Sequence, residues 1–127
     1  MKELLDNLNT MSNVVPIKSG MRVRNKSGTS LCNARFFSSW KKFYVGNKKR
    51  KWPDICRIKG CCESARSGAH VEIEGDCPCV YIVPMCDKHN TPHIKDWLQV
   101  KGKTILVKIE SEDSKGPAGV CYEKKCH

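Results

Sequence analysis

Alternating polar and apolar residues in the middle of the chain predict a β-hairpin. Its two arms are residues 69–74 and 80–83, and Gly75 and Asp76 make the turn between them. Successive side chains of a strand point to opposite faces of a sheet. One face of this hairpin should therefore carry His70, Glu72 and Glu74, and the other should be lined by Val71, Ile73, Tyr81 and Val83.

A spacing of three and four residues predicts a helix over residues 33–45. Asn33 can cap this helix, and Gly46 can end it. Its apolar positions are all aromatic: Phe36, Phe37, Trp40, Phe43 and Tyr44. We expect this stripe to pack against the rest of the domain. As an alternative, it forms an exposed platform on which nucleic-acid bases stack.

Further elements follow from the same kinds of pattern. Residues 18–30 predict a short strand and a turn, and residues 1–17 predict a weakly ordered arm. A second helix is predicted over residues 91–100, with Gly102 after its end. Residues 104–109 are rich in β-branched side chains and predict a strand.

These elements indicate an α+β protein. Its 127 residues are an ordinary length for one domain. We divide the chain into an N-terminal arm with a short strand, residues 1–30, and a single domain, residues 31–127, whose core is residues 56–100. Aromatic residues are 7% of the chain, so the apolar core should be small. Small cores usually need disulfides or a metal ion, and nine cysteines could supply either.

Residues 56–90 contain two pairs of side chains with the spacing of metal ligands. Cys56 and Cys61 are separated by four residues, and Cys86 and His89 by two. Thiolate and imidazole ligands in two close pairs, joined by a longer loop, are typical of tetrahedral Zn²⁺ sites. The spacing therefore predicts a zinc site made of these four residues.

Neighbouring residues leave alternatives open for this site. Cys62 could replace Cys61 as a ligand, and His70 could replace His89 or serve as a buried structural histidine. A catalytic pair of Cys86 and His70 is not expected, because the metal would consume the thiolate.

The start of the chain bears on the compartment. It has neither the apolar run of about 7–15 residues nor the cleavage site of a secretory signal. No segment approaches the roughly 20 apolar residues that a membrane span requires, so no membrane partner is predicted. A cytoplasmic protein is expected, or a nuclear one in a eukaryotic cell, with its thiols reduced.

Reduced thiols favour metal binding over disulfides in the remaining cysteines. We interpret Cys77 and Cys79 as buried thiols, although their spacing could also hold a second metal ion. A further metal site could form from Cys121 and Cys126 with Cys32 or His127.

The net charge of +10 is unevenly distributed. Residues 18–60 contain thirteen Lys or Arg residues and one acidic residue, whereas the segments before and after each sum to −1. Such a basic segment usually contacts an anionic polymer, most often nucleic acid; the alternative is a solvated face without a partner. The candidate contacts are Lys41, Lys42, Lys48, Lys49, Arg50, Lys51, Arg57 and Lys59.

The order of metal pairs and hairpin resembles the treble-clef zinc unit of the HNH endonuclease superfamily, its ββα-metal core. The resemblance rests on Cys56-x4-Cys61, on Ala69-His70-Val71 and on Cys86-x2-His89-Asn90, and covers about a third of the chain. The chain is also similar to small HNH-like proteins with the pattern "GAHV…YIVPLC..CN". This resemblance implies a small zinc unit made of a knuckle, a hairpin and a helix. The residue patterns described above place the aromatic helix before this unit and a strand after it.

The resemblance also implies two separate metals. The four ligands named above would hold structural zinc, which does no chemistry. His70 matches the general base that activates water to attack a phosphodiester. Asn90 matches a position that holds a catalytic ion, Mg²⁺ or Mn²⁺, beside the scissile phosphate.

Two departures from the HNH pattern affect catalysis. Many HNH nucleases carry a metal-ligating residue just before the base, where this chain has Ala69. Glu72 or Glu74 could substitute for it, since Mg²⁺ sites normally include carboxylates. The hairpin loop is also short and lacks the usual asparagine.

Three functions follow from these observations. The first is a zinc-stabilised HNH-like protein that binds nucleic acid and is a candidate metal-dependent endonuclease. The second is a non-enzymatic module that binds nucleic acid or inhibits a nucleic-acid enzyme. The third is a zinc scaffold that binds a protein through the aromatic helix. The oligomeric state is left open.

Overall fold

The computed structural model describes residues 21–46, 50–76 and 78–123, and the backbone of residues 14–16. Within these ranges the strands form one six-stranded antiparallel sheet with the order β1-β6-β4-β3-β2-β5. The α-helix of the described chain, α1, packs against β3 and β4. The strands are β1 Val14–Pro16, β2 Arg22–Asn25, β3 Ser67–Ile73, β4 Tyr81–Met85, β5 Leu98–Gln99 and β6 Ile105–Lys108, and α1 is Trp40–Val45. Short 3₁₀ turns occupy Thr29–Leu31 and Ser111–Asp113.

The hairpin prediction is confirmed by β3 and β4. Their register pairs Val71 with Tyr81 and His70 with Ile82. Both faces of the hairpin are covered: Val71 and Tyr81 belong to one apolar cluster, and Ile82 packs with α1 in a second one. A strand that is buried on both faces reads as a continuous apolar run, as β4 does.

The helix predicted over residues 33–45 is correct only in its last six residues. Ser39 caps α1 by accepting a hydrogen bond from the backbone of Lys42 at 3.1 Å. Before this cap the chain is bound elsewhere, because Ala34 bridges Ser114 and the backbone N–H of Arg35 donates to Asp113 at 2.9 Å. Backbone groups already bonded to the C-terminal segment cannot form the helical ladder.

The helix predicted over residues 91–100 is wrong. This segment ends in β5, where Leu98 pairs with Val23, and Val100 bridges Ile58. The guanidinium of Arg24 lies 4.1 Å from the centre of the Trp97 ring. Two of the apolar residues that predicted a helix therefore have other roles: Leu98 lies in an edge strand, and Trp97 stacks with Arg24.

The strands predicted in residues 18–30 and 104–109 are confirmed as β2 and β6. β2 lies inside the sheet between β3 and β5, so residues 21–30 form part of the same folded unit as the residues that follow. The mixed α and β class is likewise confirmed. No helix in the described ranges has the length and apolar character needed to cross a membrane.

Cys32 and Cys121 form a disulfide, with Cα atoms 5.6 Å apart. The predictions of a metal site and of reduced thiols are wrong for this pair. The pairing of residues 33–35 with 113–115 brings the two cysteines to a distance that a disulfide can bridge. Cys79 is also disulfide-bonded rather than a free thiol. Cys77, Cys126 and His127 lie outside the described residues.

Candidate metal centre and adjacent pocket

The four predicted zinc ligands come together as one candidate metal site. Their ligand atoms all lie within 4.8 Å of one another. The sulfurs of Cys61 and Cys86 are 3.8 Å apart, and Nδ1 of His89 lies 3.3 Å from the sulfur of Cys86 and 3.8 Å from that of Cys56. A tetrahedral ion with metal–sulfur bonds of about 2.3 Å places neighbouring ligand atoms about 3.8 Å apart. The cluster therefore has the dimensions to bind a metal ion.

Two tight turns place these ligands. In the first, the backbone N–H of Cys61 donates to Ile58 at 3.0 Å, and Gly60 supplies the positive φ of 84° that this turn requires. In the second, the N–H of Asn90 donates to Cys86 at 2.9 Å, which folds His89 back over the end of β4. Each ligand pair is thus set by local backbone geometry, which is why its spacing is visible in the sequence.

Lys101 stabilises the first turn through contacts that the sequence did not predict. Its ammonium group donates to the carbonyl oxygens of Cys56 at 2.8 Å and Cys61 at 2.6 Å. Its backbone N–H donates to Arg57, which lies between them, at 2.8 Å. A divalent ion with three thiolates and a neutral imidazole carries a net charge of −1, so the nearby ammonium offsets it.

Burial affects the acidity of the Cys56 thiol. The pKa of the Cys56 thiol is raised to about 11, chiefly because burial penalises the charged thiolate. A bound cation supplies the opposite charge that a buried thiolate needs. Metal binding at this centre should therefore release protons.

The alternative ligands lie elsewhere. Cys62 is exposed and outside the cluster. His70 lies on the β3 face covered by α1, whereas the ligand cysteines belong to the apolar cluster on the other face. The first choices, Cys61 and His89, are therefore the residues that the structure brings together.

His70 is buried beneath Trp40. The imidazole is 6% exposed, and the Trp40 ring meets it edge-on with ring centres 4.8 Å apart. Its Nε2 atom is buried without a hydrogen-bond partner in the described structure. Burial lowers the pKa of His70 to about 4, so this side chain is neutral at pH 7.

His70 and Asn90, the two predicted catalytic residues, line one pocket of about 350 Å³. Asn25 and Lys26 also line this cavity, which we call the His70 pocket, and the amide of Asn25 donates to Asn90 at 2.9 Å. No carboxylate is among its lining residues in the described structure.

The carboxylates that could have substituted for a ligand at position 69 are engaged elsewhere. Glu72 pairs with Arg24 at 3.1 Å, and Glu74 pairs with Arg22 at 2.6 Å. Ala69 belongs to the apolar cluster on the face opposite His70. Apart from the Cys/His cluster, no group of three or more His, Cys, Asp or Glu residues with metal-binding geometry occurs in the described chain.

The candidate nucleic-acid contacts divide into exposed and internally bonded cations. Arg50 donates to the carbonyl of Tyr44. Arg57 donates to the hydroxyl of Thr104 and to the carbonyl of Gly102, both at 3.0 Å. These two guanidiniums help to hold the fold. The exposed members of the set are Lys41, Lys42, Lys51 and Lys59, whereas Lys48 and Lys49 lie outside the described residues.

No protein-family model, curated protein or solved structure matches this chain.

Proposed function

We propose that this is a zinc-stabilised nucleic-acid-binding protein. The observation that carries the proposal is a set of exposed lysines that form no ion pair within the described residues: Lys41, Lys42, Lys51 and Lys59. The ion pairs of the described residues belong to other cations, namely Arg22, Arg24, Arg66 and Lys108. Lys41 lies over the Trp52 ring and Lys59 donates to the Gln99 amide, but these partners are neutral and leave the positive charges uncompensated. The four lysines can therefore contact phosphates, and such contacts supply most of the affinity of non-specific nucleic-acid binding.

Zn²⁺ is the metal that best suits the candidate centre. Three thiolates and one imidazole are ligands that zinc prefers, and the site is closed by four protein ligands, as structural zinc sites are. Hard ions such as Mg²⁺ select oxygen ligands instead. In this proposal zinc stabilises the fold and takes no part in chemistry.

The motifs shared with HNH endonucleases support the same proposal. The two ligand pairs, the hairpin between them and His70 on the first strand of the hairpin follow the order that the resemblance implies. The helix expected at residues 91–100 is missing, which counts against a complete treble clef. We therefore propose an HNH-like relationship for residues 56–90.

Binding to labelled duplex and single-stranded DNA and RNA at increasing salt tests the proposal. The double variant Lys42→Gln/Lys51→Gln should bind more weakly. The slope of log K against log [salt] should also become shallower, by up to about 0.9 for each lost contact to duplex DNA. The variant Lys103→Gln/Lys115→Gln removes two exposed charges outside residues 18–60 and is the control. The proposal fails if the zinc-loaded protein binds none of these nucleic acids at low salt.

A metal-dependent endonuclease is the second candidate. Its supporting observation is that His70 and Asn90 line one pocket and that His70 is neutral at pH 7, as a general base must be. The described residues that line the pocket offer amides but no carboxylate for Mg²⁺ or Mn²⁺, which favours binding without cleavage. Plasmid incubated with the zinc-loaded protein and either ion should remain uncut; cutting that His70→Gln abolishes would favour the nuclease.

A protein-binding scaffold has less support. Phe43 and Tyr44 are buried in the core, and Trp40 packs on His70. Of the aromatic stripe, Phe36 is the residue that is largely exposed, at 72%. Most of the surface expected to bind a protein partner is therefore occupied within the fold.

A further inference from the structure

A second recess lies beside the His70 pocket and shares part of its wall. It has a volume of about 130 Å³ and is lined by Arg24, Glu72, Ile94 and Lys95, among others. Asn25 and Pro92 line both cavities. The two recesses thus form neighbouring parts of one groove along β2, which we call the β2 groove.

The His70 pocket, which is the larger part of this groove, offers neutral polar groups. His70 is uncharged at pH 7, and Asn25, Asn90, Thr29 and Ser30 contribute amides and hydroxyls. Trp40, whose ring lies 4.8 Å from that of His70, also lines the pocket. Neutral donors and acceptors beside an aromatic ring are suited to the edges and faces of nucleobases.

The charge along the groove suits a phosphate backbone. Lys26 lines the His70 pocket, and Lys95 lines the smaller recess. Neither lysine has an ion pair within the described residues. Among the described residues that line the groove, Glu72 is the one carboxylate, and Arg24 already neutralises it. The groove therefore combines a neutral pocket with two positive charges that have no ion-pair partner among the described residues.

We propose that the β2 groove binds an unpaired nucleotide of a single-stranded nucleic acid, with its base in the His70 pocket and adjacent phosphates near Lys26 and Lys95. This inference rests on the proposed function and specifies the form of the nucleic acid. A pocket of about 350 Å³ is large enough for a small ligand. A base within a duplex is stacked and paired, and so cannot enter such a pocket without leaving the helix.

Binding assays on the zinc-loaded full chain test this inference. A labelled twelve-nucleotide single strand should bind about tenfold more tightly than the duplex of the same sequence, and removal of its bases at abasic sites should abolish the difference. Lys26→Gln/Lys95→Gln should weaken single-strand binding and reduce its salt slope by about 0.7 per lost phosphate contact. The control is Lys103→Gln/Lys115→Gln, which should change neither.

The role of the pocket is tested separately with His70→Gln, which keeps a neutral polar side chain. We expect this variant to lose most of the preference for the single strand while retaining its duplex affinity and its zinc content. Equal affinity for single strand and duplex, unchanged by either groove variant, would overturn the inference but leave the proposed function intact. Absence of binding to either nucleic acid would instead overturn the proposed function.

Discussion

The ammonium group of Lys101 lies 2.6 Å from the carbonyl oxygen of Cys61, a predicted metal ligand. The same group reaches the carbonyl of Cys56, so one side chain fixes both ends of the first ligand turn. The positive charge also compensates the negative charge that three thiolates bring to a divalent ion. A residue 40 positions away in sequence thus supports the centre without binding the metal.

Replacing Lys101 with Met should therefore weaken metal binding by about 10- to 100-fold, because the turn loses two hydrogen bonds and the compensating charge. Competition with a chromophoric chelator measures the change. Lys103→Met is the matched control, since Lys103 is exposed and lies outside the centre. Equal affinities in the two variants would show that Lys101 has no supporting role.

Cys86 and Cys62 should respond in opposite ways to substitution. Cys86 is buried in the candidate centre, whereas Cys62 is an exposed free thiol. Cys86→Ser should lose the metal and several kcal/mol of unfolding free energy, because metal binding and folding are coupled in such sites. Cys62→Ser should change stability by no more than about 0.5 kcal/mol. Metal analysis and thermal unfolding of both variants check this, and metal retained in Cys86→Ser would contradict the assignment.

His70 should make the protein less stable in acid. Its pKa falls from 6.5 in the unfolded chain to about 4 in the folded one, because of burial. Between these values the unfolded state binds more protons than the folded state. The contribution of His70 to the free energy of unfolding is therefore fully present above pH 6.5 and is lost as the pH falls towards 4. The full loss is about 3 kcal/mol, from the linkage relation.

The variant His70→Gln isolates this effect, because glutamine does not titrate. Urea unfolding of both proteins between pH 7 and pH 4 should show a smaller loss of stability in the variant. Acid effects on the metal ligands are common to both proteins and cancel in the difference. Parallel pH profiles for the two proteins would rule out a titrating His70.

Gly68 should be required for the contact between β3 and α1. A Cβ atom there would lie 2.8 Å from Cγ2 of Ile82 and 3.0 Å from the backbone carbon of Trp40. Gly68→Ala should therefore cost about 1–3 kcal/mol through overpacking. Gly102→Ala has open space around it and is the control. Denaturant midpoints measure both, and a neutral Gly68→Ala would show that α1 does not pack this closely.

The metal ligands and the hairpin could be predicted because both depend on short sequence spacings. Cys86 and His89 are joined by one turn, and the alternation of β3 spans seven residues. The two helix errors arose where distant residues compete for the backbone. Ala34 pairs with Ser114, and Leu98 pairs with Val23, and no local period reveals either contact. The disulfide partner of Cys32 could not be predicted either, since disulfide connectivity cannot be deduced from sequence alone.

The Cys32–Cys121 bond makes a covalent ring of the chain between these residues. The ring contains α1, strands β3 to β6 and all four metal ligands, whereas β1 and β2 lie outside it. A single backbone cut anywhere within the ring would leave two fragments that stay joined until the disulfide is reduced. The strands β1 and β2, by contrast, are joined covalently to the ring only by the backbone that leads to Cys32, so after one cut between β2 and Cys32 noncovalent contacts alone would hold both strands.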